Sequence, residues 1–157
     1  DYACPYCLKG HQNLVELAPL HPDVIIEWHP CEAHPRPETY GPHSDLCIRG
    51  MFFARGQGVD LWAWHQRMYD ACLADRINIE DIDSLAAYAG DLMDAEGLKA
   101  ALRAGRYEAE LQAANDYAYE ESGVWAVPSY RMEGPKLDAV EDVGVLREQL
   151  KAFLDAT

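Results

Sequence analysis

Long apolar runs and basic side chains are both scarce in this sequence of 157 residues. No run approaches the roughly 20 apolar residues that a membrane-spanning helix needs, so we expect no membrane partner. Asp and Glu number 27 against 13 Lys and Arg, which gives a formal net charge of −14. Such acidity argues against nucleic acid and anionic lipid as partners and is typical of a surface that keeps a protein in solution.

A framework in which every cysteine pairs within the chain is also excluded, because the chain has five cysteines. One reactive pair and three buried thiols in a reducing compartment fit this odd number better. No signal-peptide pattern is visible, so we expect a cytoplasmic protein. The length favours one domain, and the 49% of hydrophobic residues can form a core without disulfides.

The cysteine pair stands at the start of the sequence, in DYACPYC, where Cys4 and Cys7 flank a Pro–Tyr dipeptide. Pro5 suits the first position of a helix, and the apolar spacing that follows predicts a helix over residues 5–18. Two cysteines one turn apart place their sulfurs close enough to join. Cys4, at the positive end of the helix, is the predicted thiolate nucleophile, and the more buried Cys7 is the predicted resolving thiol.

The same CxxC spacing also occurs in zinc sites, which need two further ligands. The available side chains are scattered over a proline-rich loop without standard spacing: His29, Cys31, His34, His43 and Cys47. We therefore favour redox chemistry and predict no metal. Burial as small hydrophobic residues is the simpler interpretation of Cys31 and Cys47, although the nearby histidines leave a metal site open.

The rest of the chain alternates between strand-like and helical patterns. The β-branched run at 24–28 predicts a short buried strand, and residues 43–122 form a helical block whose caps include Asp60 and Asp94. Two strand-like segments around a Gly–Pro turn and a final amphipathic helix follow. A helix that follows a strand implies a crossover and some parallel pairing. We also expect a first strand upstream of Asp1, since a CxxC helix normally follows one.

Several segments resemble one known family. CPYC opening a helix, a Val–Pro dipeptide far downstream and a helical block between them are similar to DsbA-like proteins. GVWAVPSYRMEG, EWHPCEAHPRP and GLKAALRAGRYEAEL resemble the FrnE-like branch of that group. The resemblance implies an α/β, thioredoxin-like fold, in which a central mixed β-sheet is flanked by helices. Residues 1–42 and 123–157 would form this domain, and residues 43–122 would be an all-helical insertion.

The resemblance also implies an activity, thiol–disulfide exchange through a mixed disulfide on Cys4. Cys7 would resolve the mixed disulfide, and Pro128 would be a cis-proline that faces the two sulfurs. Partners would be protein or small-molecule thiols and disulfides, with glutathione as the candidate co-substrate and no metal or organic cofactor. The protein would act as a monomer or homodimer. The expected substrate-binding residues are Pro5, Tyr6, Trp125 and Val127.

Two other functions stay open. Glutathione transferases of the kappa type and 2-hydroxychromene-2-carboxylate isomerases share the implied fold, but they usually keep a serine or lack the pair, so Cys7 speaks against them. The other is a metal-binding or interaction module with an idle CxxC.

Two further side chains have two interpretations each. Glu27 is either a general base for Cys7 or a solvated residue, and His11 either stabilises a thiolate or belongs to the core.

Overall fold

The computed structural model describes residues 1–156, most of which lie in helices. Among these residues, no helix is both long and apolar enough to cross a membrane. A 3-10 turn at Ala18–Leu20 continues the first helix, and π-helical turns at Asp70–Ala74 and Tyr117–Glu121 continue the third and sixth helices. The elements are α1 Pro5–Leu17, α2 Asp45–Gly56, α3 Leu61–Tyr69, α4 Ile82–Ala89, α5 Ala95–Arg103, α6 Glu108–Asp116, β1 Ser129–Arg131, β2 Lys136–Asp138 and α7 Arg147–Leu154.

Aspartate caps fix the starts of three of these helices. The carboxylates of Asp60, Asp81 and Asp94 accept hydrogen bonds from main-chain N–H groups in the first turns of α3, α4 and α5, at 3.0, 2.8 and 3.0 Å. Each bond satisfies one of the donors that a helix start leaves without a partner. The predicted caps at Asp60 and Asp94 are therefore confirmed.

The predicted α/β, thioredoxin-like fold with a central mixed sheet is wrong for residues 1–156. The sheet has only two strands, β1 and β2, which are antiparallel and paired from Ser129 opposite Asp138 to Arg131 opposite Lys136. The expected crossover with parallel pairing is not formed. The proposed division into residues 43–122 and the flanking segments stays a prediction.

The predicted strand at 24–28 accounts for part of this difference. Val24, Ile26 and Trp28 are half-buried while Ile25 and Glu27 are exposed, which is the alternation of a strand with one covered face. Within the described chain, however, this segment pairs with no other strand. The β-branched pattern indicates an extended backbone and its burial, but a sheet also requires a partner strand, which the pattern does not specify.

Helix α1 connects two groups of buried side chains. Near its start Cys7 joins a large cluster formed mainly by α2 to α5, in which Ile48 and Trp64 are fully buried. Near its end Leu14 and Leu17 pack in a smaller cluster with side chains of α7 and of the residues between β2 and α7. Apolar burial at both ends of one helix fixes its position, and therefore the position of its N-terminus.

We expect Gly50→Ala to lower the free energy of unfolding by about 1–2 kcal/mol, because an added methyl group overpacks the core by more than the gain in helix propensity. A Cβ atom at Gly50 would lie 2.7 Å from Cζ2 of Trp64, whose rigid ring is fully buried. Urea unfolding measures the change.

Gly56→Ala is the matched control, because it lies in the same helix and a Cβ atom there would meet only the Tyr107 hydroxyl, at 4.0 Å. This variant should be as stable as the parent protein or more so. Equal stability of the two glycine variants would contradict the close contact between α2 and α3.

Candidate active site

The first turn of α1 surrounds the sulfur of Cys4 with hydrogen-bond donors. Cys4 is the N-cap residue, with φ −100° and ψ 117°, and Pro5 follows it at the first helical position. The main-chain N–H of Cys7 donates to Sγ of Cys4 across 3.4 Å. Cys4 thus occupies the place that Ser, Thr or Asp usually takes at a helix start, so its sulfur accepts what an oxygen would otherwise accept.

These donors stabilise the thiolate of Cys4. The hydrogen bond from the Cys7 thiol is the largest influence and lowers the pKa of Cys4 to about 6, although burial opposes it. The main-chain N–H groups of Cys7 and Tyr6 lower the pKa further. Cys4 is half-buried. A sulfur that is both accessible and anionic near neutral pH has the properties of a thiol nucleophile.

Cys7 has the opposite properties. Its side chain is buried, with 4% exposed, and burial raises the pKa of Cys7 well above its ordinary value, with a further contribution from Cys4. The nitrogen of Asp1 donates to its Sγ at 3.7 Å. All five cysteines are free thiols in this structure, so the pair is in its dithiol form. The arrangement supports the predicted roles, in which Cys4 reacts with a partner and Cys7 stays protonated until it is needed.

The Val127–Pro128 loop lies beside Cys4. The bond between these two residues is cis, as we expected from the resemblance. When Cys4 is protonated, its thiol donates to the carbonyl oxygen of Val127 at 3.9 Å, a weak contact that places the loop next to the sulfur. The structure therefore brings Cys4, Cys7, Val127 and Pro128 together, although they come from opposite ends of the chain.

Gly10 permits this approach, and the sequence analysis missed it. A Cβ atom on Gly10 would lie 2.6 Å from the Tyr130 hydroxyl and 3.0 Å from Cγ of Pro128. Only a residue without a side chain lets α1 pass this close to the loop and to β1. The sequence did offer one signal, a glycine inside a helical pattern. Glycine there lowers the stability of the helix, which indicates that close packing requires it.

The other expected substrate-binding residues differ in their surroundings. Pro5 is exposed and Trp125 has 68% of its surface exposed, so both can meet a partner. Tyr6 is half-buried and packs against Gly144, where an added Cβ would come within 3.1 Å of the tyrosine ring. Tyr6 therefore turns toward the loop before α7, whereas Trp125 is exposed.

An open groove with a volume of about 580 Å³ runs along the inner side of α1. Its lining includes residues 24–30 and residues 127–132. Cys7, His11 and His65 also line it, together with aromatic rings that include Trp28 and Tyr69. The groove thus reaches the buried member of the cysteine pair.

Two buried histidines in this groove are uncharged. Burial lowers the pKa of His65 to about 3, with the neighbouring His11 as the next cause, and burial also lowers the pKa of His11. The Tyr2 hydroxyl is hydrogen-bonded to Nδ1 of His65 at 2.8 Å. His11 lies among aromatic rings of the core, so of its two interpretations the structure favours the core residue.

Glu27 and the remaining cysteines complete the set of predicted residues. The side chain of Glu27 is 80% exposed and lies 3.6 Å from His29, so of its two interpretations the structure favours the solvated residue. Cys31, Cys47 and Cys72 are buried. Within residues 1–156, no three His, Cys, Asp or Glu side chains are placed to hold a metal ion together.

We expect alkylation of Cys4 by iodoacetamide to follow its thiolate fraction, with the rate rising through pH 6 and levelling by about pH 8. Cys7→Ala removes the largest stabilising hydrogen bond, so the midpoint should move to higher pH. Rates from mass spectrometry of the alkylated protein measure both. Cys4→Ser is the control and should react only slowly at pH 7, because the other thiols are buried. A midpoint near pH 9 in the parent protein would contradict the anionic sulfur.

We expect Gly10→Ala to lower the free energy of unfolding by about 1–3 kcal/mol, because α1 must move away from Pro128 and β1. In a Tyr130→Phe background, where the nearest atom is absent, the same change should cost less. Urea unfolding of the two single variants and the double variant gives the coupling. If Gly10→Ala costs the same in both backgrounds, the contact between Gly10 and Tyr130 does not limit the packing.

No family model matches the chain. A protein of Bacillus subtilis strain 168, named as the uncharacterized protein YwbO, is 28% identical to it over an alignment of 168 positions, gaps included. The alignment covers 83% of this chain and 82% of that relative. The similarity therefore extends over most of both chains, and the name of the relative carries no activity.

Proposed function

We propose that the protein is a thiol–disulfide oxidoreductase that exchanges the Cys4–Cys7 dithiol or disulfide with protein or small-molecule partners. The observation that carries this proposal is the contrast within one helical turn, where an accessible Cys4 has a pKa of about 6 and a buried Cys7 has a raised pKa. A structural pair of thiols does not require two different pKa values. Disulfide exchange requires one thiol that is deprotonated and attacks, and one that stays protonated until the mixed disulfide has formed. Membership of the DsbA-like and FrnE-like group stays a prediction from the resemblance.

The exchange has two steps. The Cys4 thiolate attacks one sulfur of a partner disulfide, so a mixed disulfide forms on Cys4 and the other partner sulfur leaves as a thiolate. Cys7 then loses its proton and attacks Sγ of Cys4, which forms the Cys4–Cys7 disulfide and releases the second partner thiolate. Two electrons pass from the dithiol to the partner, and the same steps in reverse oxidise a partner dithiol.

The surroundings of Cys4 favour a partner that presents an extended backbone. The carbonyl group of Val127 lies beside the sulfur, and the exposed Trp125 stands two residues before Val127. A partner chain that runs along this loop can pair with its main chain while its own sulfur meets Cys4. A small thiol needs to reach only the sulfur of Cys4 and not the main chain of the loop, so glutathione remains the candidate small co-substrate. No step requires a metal or an organic cofactor.

We expect Cys4→Ser to abolish catalysed reduction of insulin by dithiothreitol, because the attacking sulfur is gone. Cys7→Ser should instead accumulate a mixed disulfide on Cys4, since the resolving step is lost. Turbidity and intact-protein mass spectrometry measure the two effects. Cys72→Ala is the matched control, because this buried cysteine lies outside the site, and it should retain activity. Full activity of Cys4→Ser would contradict the proposal.

A further inference from the structure

Cys31 shares the groove with Cys7. Both side chains line its wall, and both are buried, with 5% and 4% of their surfaces exposed. The groove that the two residues share has a volume of about 580 Å³. Cys31 differs in this from Cys47, which is fully buried in the cluster of α2 to α5.

Asp1 holds the Cys31 segment against the cysteine pair. One oxygen of its carboxylate accepts a hydrogen bond from the main-chain N–H of Ala33, and the other accepts from that of Ala3, each at 2.8 Å. The nitrogen of Asp1 also donates to Sγ of Cys7 at 3.7 Å. One residue therefore contacts the loop after Cys31, the segment before Cys4 and the buried thiol.

One electrostatic effect agrees with this geometry. Tyr119 donates to the carbonyl oxygen of Glu32 at 2.5 Å. Burial first, and then Cys31, raises the pKa of the Tyr119 phenol, with Cys7 a smaller cause. Cys31 and Cys7 thus both lie close to Tyr119.

We propose that Cys31 is a third redox thiol, which takes the disulfide from the Cys4–Cys7 pair by bonding to Cys7. The inference rests on the proposed function, which supplies the oxidised pair. The Cys31 thiol loses its proton to solvent, and its sulfur attacks Sγ of Cys7. A Cys7–Cys31 bond forms, the Cys4–Cys7 bond breaks, and Cys4 leaves as a thiolate, so the protein keeps the same number of disulfides.

The properties of Cys4 favour this transfer. A sulfur with a pKa of about 6 is a good leaving group, since disulfide exchange is faster when the departing thiol is more acidic. After the transfer the disulfide is buried in the groove, while the accessible Cys4 is again a nucleophile. The oxidised protein can then attack a second disulfide, which a simple CxxC pair cannot do in its oxidised form.

Disulfide mapping tests the inference on the parent protein, oxidised with glutathione disulfide, quenched in acid and alkylated before digestion. Trypsin separates peptide 1–9, which contains Cys4 and Cys7, from peptide 10–49, which contains Cys31 and Cys47, because proline protects the bond after Arg36. We expect a cross-link between the two peptides in addition to the internal Cys4–Cys7 bond. Fragment ions should place it on Cys7, with Cys4 alkylated.

Cys31→Ala and Cys47→Ala are the matched pair of variants. The cross-link should be lost in Cys31→Ala and kept in Cys47→Ala, and oxidised Cys31→Ala should lose the alkylation of Cys4. An internal Cys4–Cys7 bond without any cross-link would overturn this inference and leave the proposed function intact. Absence of both bonds would overturn both, and a cross-link that survives in Cys31→Ala would overturn the assignment to Cys31.

Discussion

The hydrogen bonds that the first turn of α1 directs at the sulfur of Cys4 are the interaction on which the site depends. They come from the Cys7 thiol and from main-chain N–H groups that the helix start would otherwise leave without a partner. A side chain in the N-cap position receives these bonds because of where it stands in the helix. The same turn carries Cys7 inward to a place where its own thiolate is unfavourable. One local structure therefore produces both halves of the chemistry.

This turn has a fixed place because α1 is packed along its whole length. Its first half belongs to the large cluster through Cys7, and its second half belongs to the small cluster through Leu14 and Leu17. Between them, Gly10 lets the helix pass close to Pro128 and Tyr130. A shift of α1 would separate Cys4 from the Val127 carbonyl. Packing contacts far from the sulfur therefore hold the Cys4 thiol beside the loop that contains Val127.

The sequence predicted the features that depend on neighbours along the chain. The helix start at Pro5 and the caps at Asp60 and Asp94 follow from local hydrogen bonding, and the structure has them. The sheet was predicted wrongly, since residues 24–28 have the alternating burial of a strand but no partner strand among residues 1–156. A residue pattern reports the conformation of one segment, whereas pairing is a property of two.

The same limit decides which features of the site could be predicted from the sequence. Cys4 and Cys7 are separated by one turn, so their relation was readable from spacing. The contact of Gly10 with Tyr130 and the burial of His11 depend on elements from other parts of the chain. Glu27 illustrates the reverse case, because its position between apolar neighbours suggested burial while strand alternation turned it toward solvent.

The burial of Cys7 has a consequence for the proton count of the redox reaction. Between pH 6 and the raised pKa of Cys7, the reduced pair carries one proton, since Cys4 is already ionised. Closing the disulfide then releases one proton for two electrons. The midpoint potential of such a couple changes by about 30 mV for each pH unit, half the slope of a pair in which both sulfurs are protonated. A moderate fall in pH would therefore raise the midpoint potential of this pair by less than it raises that of an ordinary dithiol.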